Sequence, residues 1–305
     1  MALQLPLLIC VVGPTAIGKT RVAIELAQAF QTEIISADSR QFFKEMRIGT
    51  AVPSEEELDA TPHHFIQTKS IFDDYSVGDF EREALALLKK LFSKKDVVVM
   101  AGGSGLYVDA VVKGLDDFPE IDPAIRENLN TELELHGLEP LQQELQQVDP
   151  VQYEAMDIQN PQRVVRALEV FRSTGKPISS FHTKKPAQRP FNTLYIGLNA
   201  ERETVYERIN TRVDHMMEEG LLEEAEALRE HASLNALQTV GYKELFAYFE
   251  GETDLDTAVS EIKKNTRRFA KRQGTWFRKN EGIVWFDYQT PISEIVDYIK
   301  KALAQ

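Results

Sequence analysis

Cysteine is nearly absent from this chain: Cys10 is the only one among 305 residues. A single thiol excludes a disulfide framework and a clustered-cysteine metal site, and its position inside an apolar run reads as a small buried hydrophobe. Long hydrophobic runs are missing too. None approaches the roughly 20 residues that span a bilayer, and the N-terminus lacks a basic segment followed by a long apolar one. The expectation is a soluble, cytoplasmic protein without membrane association. Overall positive charge is also lacking, since 35 Lys and Arg face 48 Asp and Glu for a net charge of −13. That balance argues against uniform attraction to nucleic acid or anionic lipid. There is no bias toward disorder or a fibrous repeat, with 43% hydrophobic and 27% charged residues. A chain of this length can build a sizeable core and more than one compact unit.

What is present is organised around Gly13-Pro14-Thr15-Ala16-Ile17-Gly18-Lys19-Thr20, between the apolar run Pro6 to Val12 and the helical pattern of Arg21 to Phe30. Strand, glycine-rich loop and helix in this order bring backbone N–H groups around a phosphate chain at a helix N-terminus. Lys19 supplies a point charge, and the Thr20 hydroxyl can ligate magnesium. Eight residues can match by accident, but the flanking strand and helix favour a true phosphate loop.

Further along, Glu33 to Ala37 reads as a strand ending at Asp38-Ser39-Arg40-Gln41. Ligands of parallel sheets sit beyond the carboxyl ends of strands, so Asp38 is expected on the rim of the phosphate loop. Spacing leaves open whether Asp38 serves a ligand or caps a following helix. His63 and His64 fall in a short strand and would point to opposite faces, which disfavours joint metal ligation. Ser76-Val77-Gly78-Asp79 has capping-box spacing and opens a helix to about Phe92. The apolar strand Asp96 to Met100 runs into Ala101-Gly102-Gly103-Ser104-Gly105, where Ser104 suits either a phosphate contact or a tight turn.

From Leu115 to Pro190 strand signals vanish. Asp122-Pro123, Asn160-Pro161 and Asp149-Pro150 each pair a capping side chain with proline at the first helical position, and Gly137 and Gly175 mark helix ends. The expected organisation is a doubly wound, P-loop NTPase-like α/β core of residues 1–118 and 191–305. An all-helical subdomain of residues 119–190 is inserted, Lys184 to Pro190 form the return linker, and the C-terminal region is helical. On the third inserted helix Gln162, Arg163 and Arg166 share one side, usually no more than a solvated face. After the strand Asn192 to Leu198, Arg202, Arg208 and Arg212 stand among glutamates and suit either i, i+4 pairing or phosphate contact. Charge is segregated: acids crowd Glu201 to Glu230, whereas Lys263 to Lys279 holds eight cations and no acid. Trp276 and Phe277 interleave with those cations. The combination suits an RNA backbone with exposed bases and equally an amphipathic helix.

Six ordered motifs together resemble the tRNA dimethylallyltransferase (tRNA isopentenyltransferase) family, over nearly the whole chain. They are Gly13 to Thr20, Ile35 to Gln41, Gly102 to Tyr107, Asn160 to Val170, Val240 to Glu244 and Lys271 to Lys279. The resemblance implies transfer of a dimethylallyl group from dimethylallyl diphosphate to the exocyclic amine of the adenine 3′ of the anticodon. It implies Asp38 as general base, with Lys19 and Ser104 assisting. The diphosphate would lie on Gly13, Thr15, Ala16, Ile17, Gly18, Lys19, Thr20 and, by position, Arg212, with Mg2+ on Thr20. It assigns tRNA contacts to Asp38, Ser39, Arg40, Gln41, Ser104, Arg126, Gln162, Arg163 and Arg166. Gln238, Gly241, Tyr242, Lys243, Lys271, Arg272, Gln273, Trp276 and Arg278 complete that set. Many relatives carry threonine at the Ser104 position, and the chain ends without the zinc-finger extension of eukaryotic members, which points to the bacterial type. A monomer is expected. Competing readings are a small-molecule P-loop kinase, a prenyltransferase of free adenine nucleotides, and a nucleotide-dependent RNA-binding switch.

Overall fold

The first strand fixes the architecture. Leu7–Val12 (β1) is buried along its whole length; Leu7, Ile9 and Val11 face one hydrophobic layer and Leu8, Cys10 and Val12 the other. A strand covered on both faces belongs in the middle of a parallel sheet flanked by helices. The computed structural model describes residues 5–116, 118, 121–182 and 187–304. Among them the chain divides into two compact units, Met1–Lys113 with Gln188–Gln305, and Gly114–Ala187. Of the expected return linker, Lys184, Lys185 and Pro186 lie outside the described residues.

In the larger unit, β1 is followed by Lys19–Ala29 (α1), Ile34–Ser36 (β2), Glu55–Ala60 (α2) and His63–His64 (β3). Val77–Phe92 (α3), Val97–Gly102 (β4) and Gly105–Lys113 (α4) come next. The six strands among the described residues are all parallel, in the order β3-β2-β4-β1-β5-β6, with β5 at Asn192–Asn199 and β6 at Ile283–Asp287. This is the doubly wound α/β sheet read from the sequence. The capping box at Ser76 and Asp79 forms as expected and starts α3. The paired histidines are structural: His63 bonds the Thr61 carbonyl and His64 the Glu33 carboxylate.

The smaller unit consists of Pro123–His136 (α5), Glu139–Val148 (α6), Pro150–Ala155 (α7) and Pro161–Thr174 (α8). Asp122, Asp149 and Asn160 each cap a helix with proline in its first turn, and Gly137 and Gly175 end helices at φ 77° and 69°. The start of α6 was illegible because Leu138 offers no side-chain cap. Leu129, Leu141, Leu145, Val164, Val165 and Leu168 give this unit a core of its own.

Back in the larger unit, Arg202–Glu218 (α9), Leu221–Ala227 (α10) and Tyr242–Phe249 (α11) lead to the 23-residue Leu255–Phe277 (α12), and Ile292–Leu303 (α13) closes the chain. At 1.5 Å per residue α12 is about 35 Å long. It places Ile262 in a cluster with α9, α10 and α11, Ala270 in one sheet layer and Phe277 in the other. No helix among the described residues is long and apolar enough to cross a membrane.

Candidate active site

The glycine-rich loop is built for an anion. Gly13 takes φ +145°, and a side chain there would meet the Leu198 carbonyl at 2.5 Å. Ala16 and Gly18 also have positive φ, 62° and 102°, so the chain curls before α1 begins. Such a curl is costly for alanine and is characteristic of ligand-binding loops. No side chain caps α1 and its first turn holds no acid. Its N–H groups and dipole thus favour a negative ligand.

Three cations converge on the loop. Lys19 Nζ donates to the Pro14 carbonyl at 2.7 Å. Burial pulls the lysine pKa down to about 8; the Asp38 carboxylate works against that and Arg212 works with it. Arg208 Nε donates to the Ala16 carbonyl at 2.7 Å. Arg212, one turn further along α9, has its pKa lowered by burial and then by Arg208. Neither Arg208 nor Arg212 makes an i, i+4 ion pair among the described residues; Arg208 bonds the loop, and Arg212 lines the cavity beside it. Arg208 was missed as a site residue, although its spacing from Arg212 places both on one face of α9.

Lys19, Thr20, Asp38, Arg208 and Arg212 line a cavity of about 870 Å³. A second cavity, of about 730 Å³, is lined by Asp38, Ser39, Arg40, Ser104, Gln238, Gly241, Lys243 and Arg272, together with the exposed ring of Phe269. Thr15, Asp38, Thr50, Ala51, Arg212 and Met216 belong to both. Asp38 follows β2 without capping a helix; its Oδ1 accepts from the Arg40 N–H at 3.1 Å, a local turn. The Ser104 hydroxyl lies on the second cavity, where it accepts from the Ser39 N–H at 3.0 Å and bonds the Ser39 hydroxyl at 3.1 Å. It ties the two strand ends together and lines the second cavity, not the first.

The partition is fastened by residues the sequence did not single out. Glu224 of α10 accepts from three successive N–H groups, Arg47 at 3.0 Å, Ile48 at 2.8 Å and Gly49 at 2.9 Å, and from the Tyr242 hydroxyl at 2.6 Å. Gln41 Nε2 holds the Thr50 and Ala51 carbonyls at 3.2 and 2.8 Å. Tyr242 is fully buried, so the expected RNA contact is corrected to a structural role: at the first turn of α11 its ring faces the core. Gln41 likewise spends its amide inside the protein. The RNA contact expected of Gln273 is corrected in the same way: the side chain is buried, with its amide bonded to Thr15 N–H and the Gly103 carbonyl. Phe277 is core, whereas Trp276 stays partly exposed and donates through Nε1 to Asp109 Oδ2 at 2.9 Å.

Along the basic helix, Lys263 pairs with Asp214 and Lys264 with Glu261, while Arg267 bonds Asn210 and Arg268 bonds Asn265. Lys271, Arg272, Arg278 and Lys279 make no ion pair among the described residues and are exposed. In the smaller unit Arg126 and Arg166 both reach the buried carboxylate of Glu169, at 3.3 and 2.8 Å, and Arg126 also bonds Gln162, with Arg163 exposed beside them. Glu169 is a further residue that the sequence reading passed over, because a lone glutamate in a helix carries no pattern.

No cluster of three or more His, Cys, Asp or Glu residues suited to a metal occurs among the described residues. Magnesium commonly takes one or two protein oxygens and fills its shell with phosphate oxygens and water. The Thr20 hydroxyl on the first cavity fits that sparse donor set.

A family model described as IPP transferase matches residues 41–280. The tRNA dimethylallyltransferase of Christiangramia forsetii is 58% identical over 296 residues, covering 97% of this chain and 98% of that one. Its counterpart in Flavobacterium johnsoniae is 57% identical over 302 residues, with 97% and 98% covered. Among solved structures, the full-length tRNA isopentenylpyrophosphate transferase of Bacillus halodurans superposes with TM-score 0.72 at 38% identity, covering 97% of this chain and 96% of that chain. A eukaryotic dimethylallyltransferase acting on tRNA gives TM-score 0.78 at 25% identity, covering 93% of this chain and 74% of its own.

Proposed function

The chain belongs to the IPP transferase family, and we propose that it moves a dimethylallyl group from dimethylallyl diphosphate to the exocyclic amine of the adenine 3′ of the anticodon in tRNA. The observation that carries this reading is the position of Asp38, which lines both the phosphate-loop cavity and the cavity beside the cationic end of α12. An adenine held in the second cavity presents its amine to a carboxylate whose other neighbours are the loop cations.

The amine is a poor nucleophile because its lone pair is delocalised into the ring. Asp38 accepts its proton as the new N–C bond forms, and the allylic C–O bond breaks with its electrons going to the diphosphate. Loop N–H groups from Ala16 to Thr20, Lys19, Arg208 and Arg212 meet the charge that builds on the leaving group. Mg2+ on Thr20 supplies further charge neutralisation when bound. The target base must leave its stack to reach this place. The unpaired cations Lys271, Arg272, Arg278 and Lys279, and the separate Arg126 and Arg166 pair, suit the backbone of an RNA loop. Those exposed cations favour tRNA over a free nucleotide or a kinase substrate.

The test is uptake of labelled dimethylallyl group by unmodified tRNA in the presence of magnesium, compared with uptake by AMP. Label entering tRNA alone supports the reading; label entering AMP alone, or none in either, defeats it.

A further inference from the structure

Gln273 sits in the run Lys271 to Arg278, yet it points inward and is 6% exposed. Its Oε1 accepts from the Thr15 N–H at 2.8 Å and its Nε2 donates to the Gly103 carbonyl at 3.0 Å. One side chain of the cationic helix thus joins the phosphate loop after β1 to the glycine turn after β4. The fit is close: a Cβ at Gly103 would lie 2.2 Å from the Gln273 nitrogen. One turn on, Trp276 covers Gly105, where a Cβ would be 2.3 Å from the indole Cδ1. Gln273 is flanked on the exposed side of the same helical turns by Lys271, Arg272 and Arg278.

We propose that Gln273 is a positioning residue through which RNA on the cationic face of α12 fixes the phosphate loop, so that RNA and prenyl diphosphate strengthen each other's binding. The inference rests on the tRNA reading given above. Only an amide fits both bonds. A carboxylate cannot donate to Gly103 and would set negative charge against the loop that must hold an anion; a hydrocarbon leaves a half-buried N–H and a buried carbonyl unpaired. The loop needs this outside hold because Ala16 is kept at φ 62°. RNA that seats α12 holds the Thr15 peptide in place, leaving the amides from Ala16 to Thr20 aimed at the ligand. Coupling between two binding sites is reciprocal by necessity.

The experiment measures the dissociation constant of a non-reactive thiolo analogue of dimethylallyl diphosphate on the full chain, with and without saturating anticodon stem-loop RNA. For the wild type the RNA should tighten analogue binding on the order of 5- to 150-fold, the usual range of coupling between sites. In Gln273→Met, which keeps bulk but neither bond, that ratio should fall to about one while RNA affinity measured alone changes little. Gly103→Ala, which displaces the amide by a different route, should lose the ratio as well and serves if the first variant does not fold. A ratio of about one in the wild type, or a wild-type ratio in both variants, overturns the proposal. Continued prenylation of tRNA in either of those cases leaves the functional reading standing, whereas a wild type that fails to bind RNA at all overturns both.

Discussion

Lys19 reaches back to its own loop: Nζ donates to the Pro14 carbonyl at 2.7 Å, and burial lowers its pKa to about 8. A phosphate beside that amine would stabilise the charged form and raise the value again. The lysine is therefore charged below about pH 8 and progressively neutral above it in the free protein. Affinity for a prenyl diphosphate analogue should fall as pH rises through 8, with proton uptake on binding in that range. Calorimetry in buffers of different ionisation enthalpy reads the uptake. Lys19→Arg, charged throughout, should flatten the profile; an unchanged slope in that variant would assign the titration elsewhere.

Asp38→Asn should bind both ligands normally and lose transfer by about 10²- to 10⁴-fold, the usual contribution of a positioned base. Asparagine keeps an Oδ1 for the Arg40 N–H, so the turn after β2 survives. Single-turnover rates with saturating tRNA decide the matter, and a rate close to wild type removes Asp38 from the chemistry.

Glu224→Gln should loosen the segment that both cavities share. The charged acceptor holds three N–H groups and one hydroxyl, and its neutralisation should cost about 1–3 kcal/mol. KM should rise for tRNA and prenyl diphosphate together, since Thr50 and Ala51 line both cavities. Tyr242→Phe, which removes one of the four donors, should cost about 1 kcal/mol. Denaturant titration and steady-state kinetics measure these effects; a change confined to one substrate would contradict the shared wall.

The two sets of cations should respond differently to salt. Lys271→Glu with Arg272→Glu should weaken tRNA binding and reduce the slope of log K against log salt by about 1.5, as expected when two cations leave a single-stranded backbone. Glu169→Gln keeps every cation but frees Arg126 and Arg166 from their common carboxylate. It should weaken binding with the slope preserved. Equal slopes in all three proteins would place the RNA elsewhere.

Local chemistry was the legible part of this fold. The three caps followed by proline, the capping box at Ser76 and the loop from Gly13 to Thr20 are written within a few residues of where they act. Asp38 was placed on the rim because strand ends converge there. What could not be read depends on partners far along the chain. The inward turn of Gln273 and Tyr242 is set by Thr15, Gly103 and Glu224, which no window around those residues contains. For Phe277 a cation and aromatic surface and an ordinary amphipathic helix read alike, and only the packing of α12 against the sheet decides for the core. Nor does any window around Gly103 and Gly105 contain the glutamine and indole of α12 whose close approach requires them.

Helix α12 is planted in three hydrophobic clusters through Ile262, Ala270 and Phe277. Its amides cannot open without disturbing the sheet beneath, so hydrogen exchange along its second half should require nearly the full unfolding free energy. Slow exchange in a helix that also carries the exposed cations would mean that the helix itself stays formed in the free enzyme, so that RNA acts on how α12 seats against the phosphate loop and not on whether it folds.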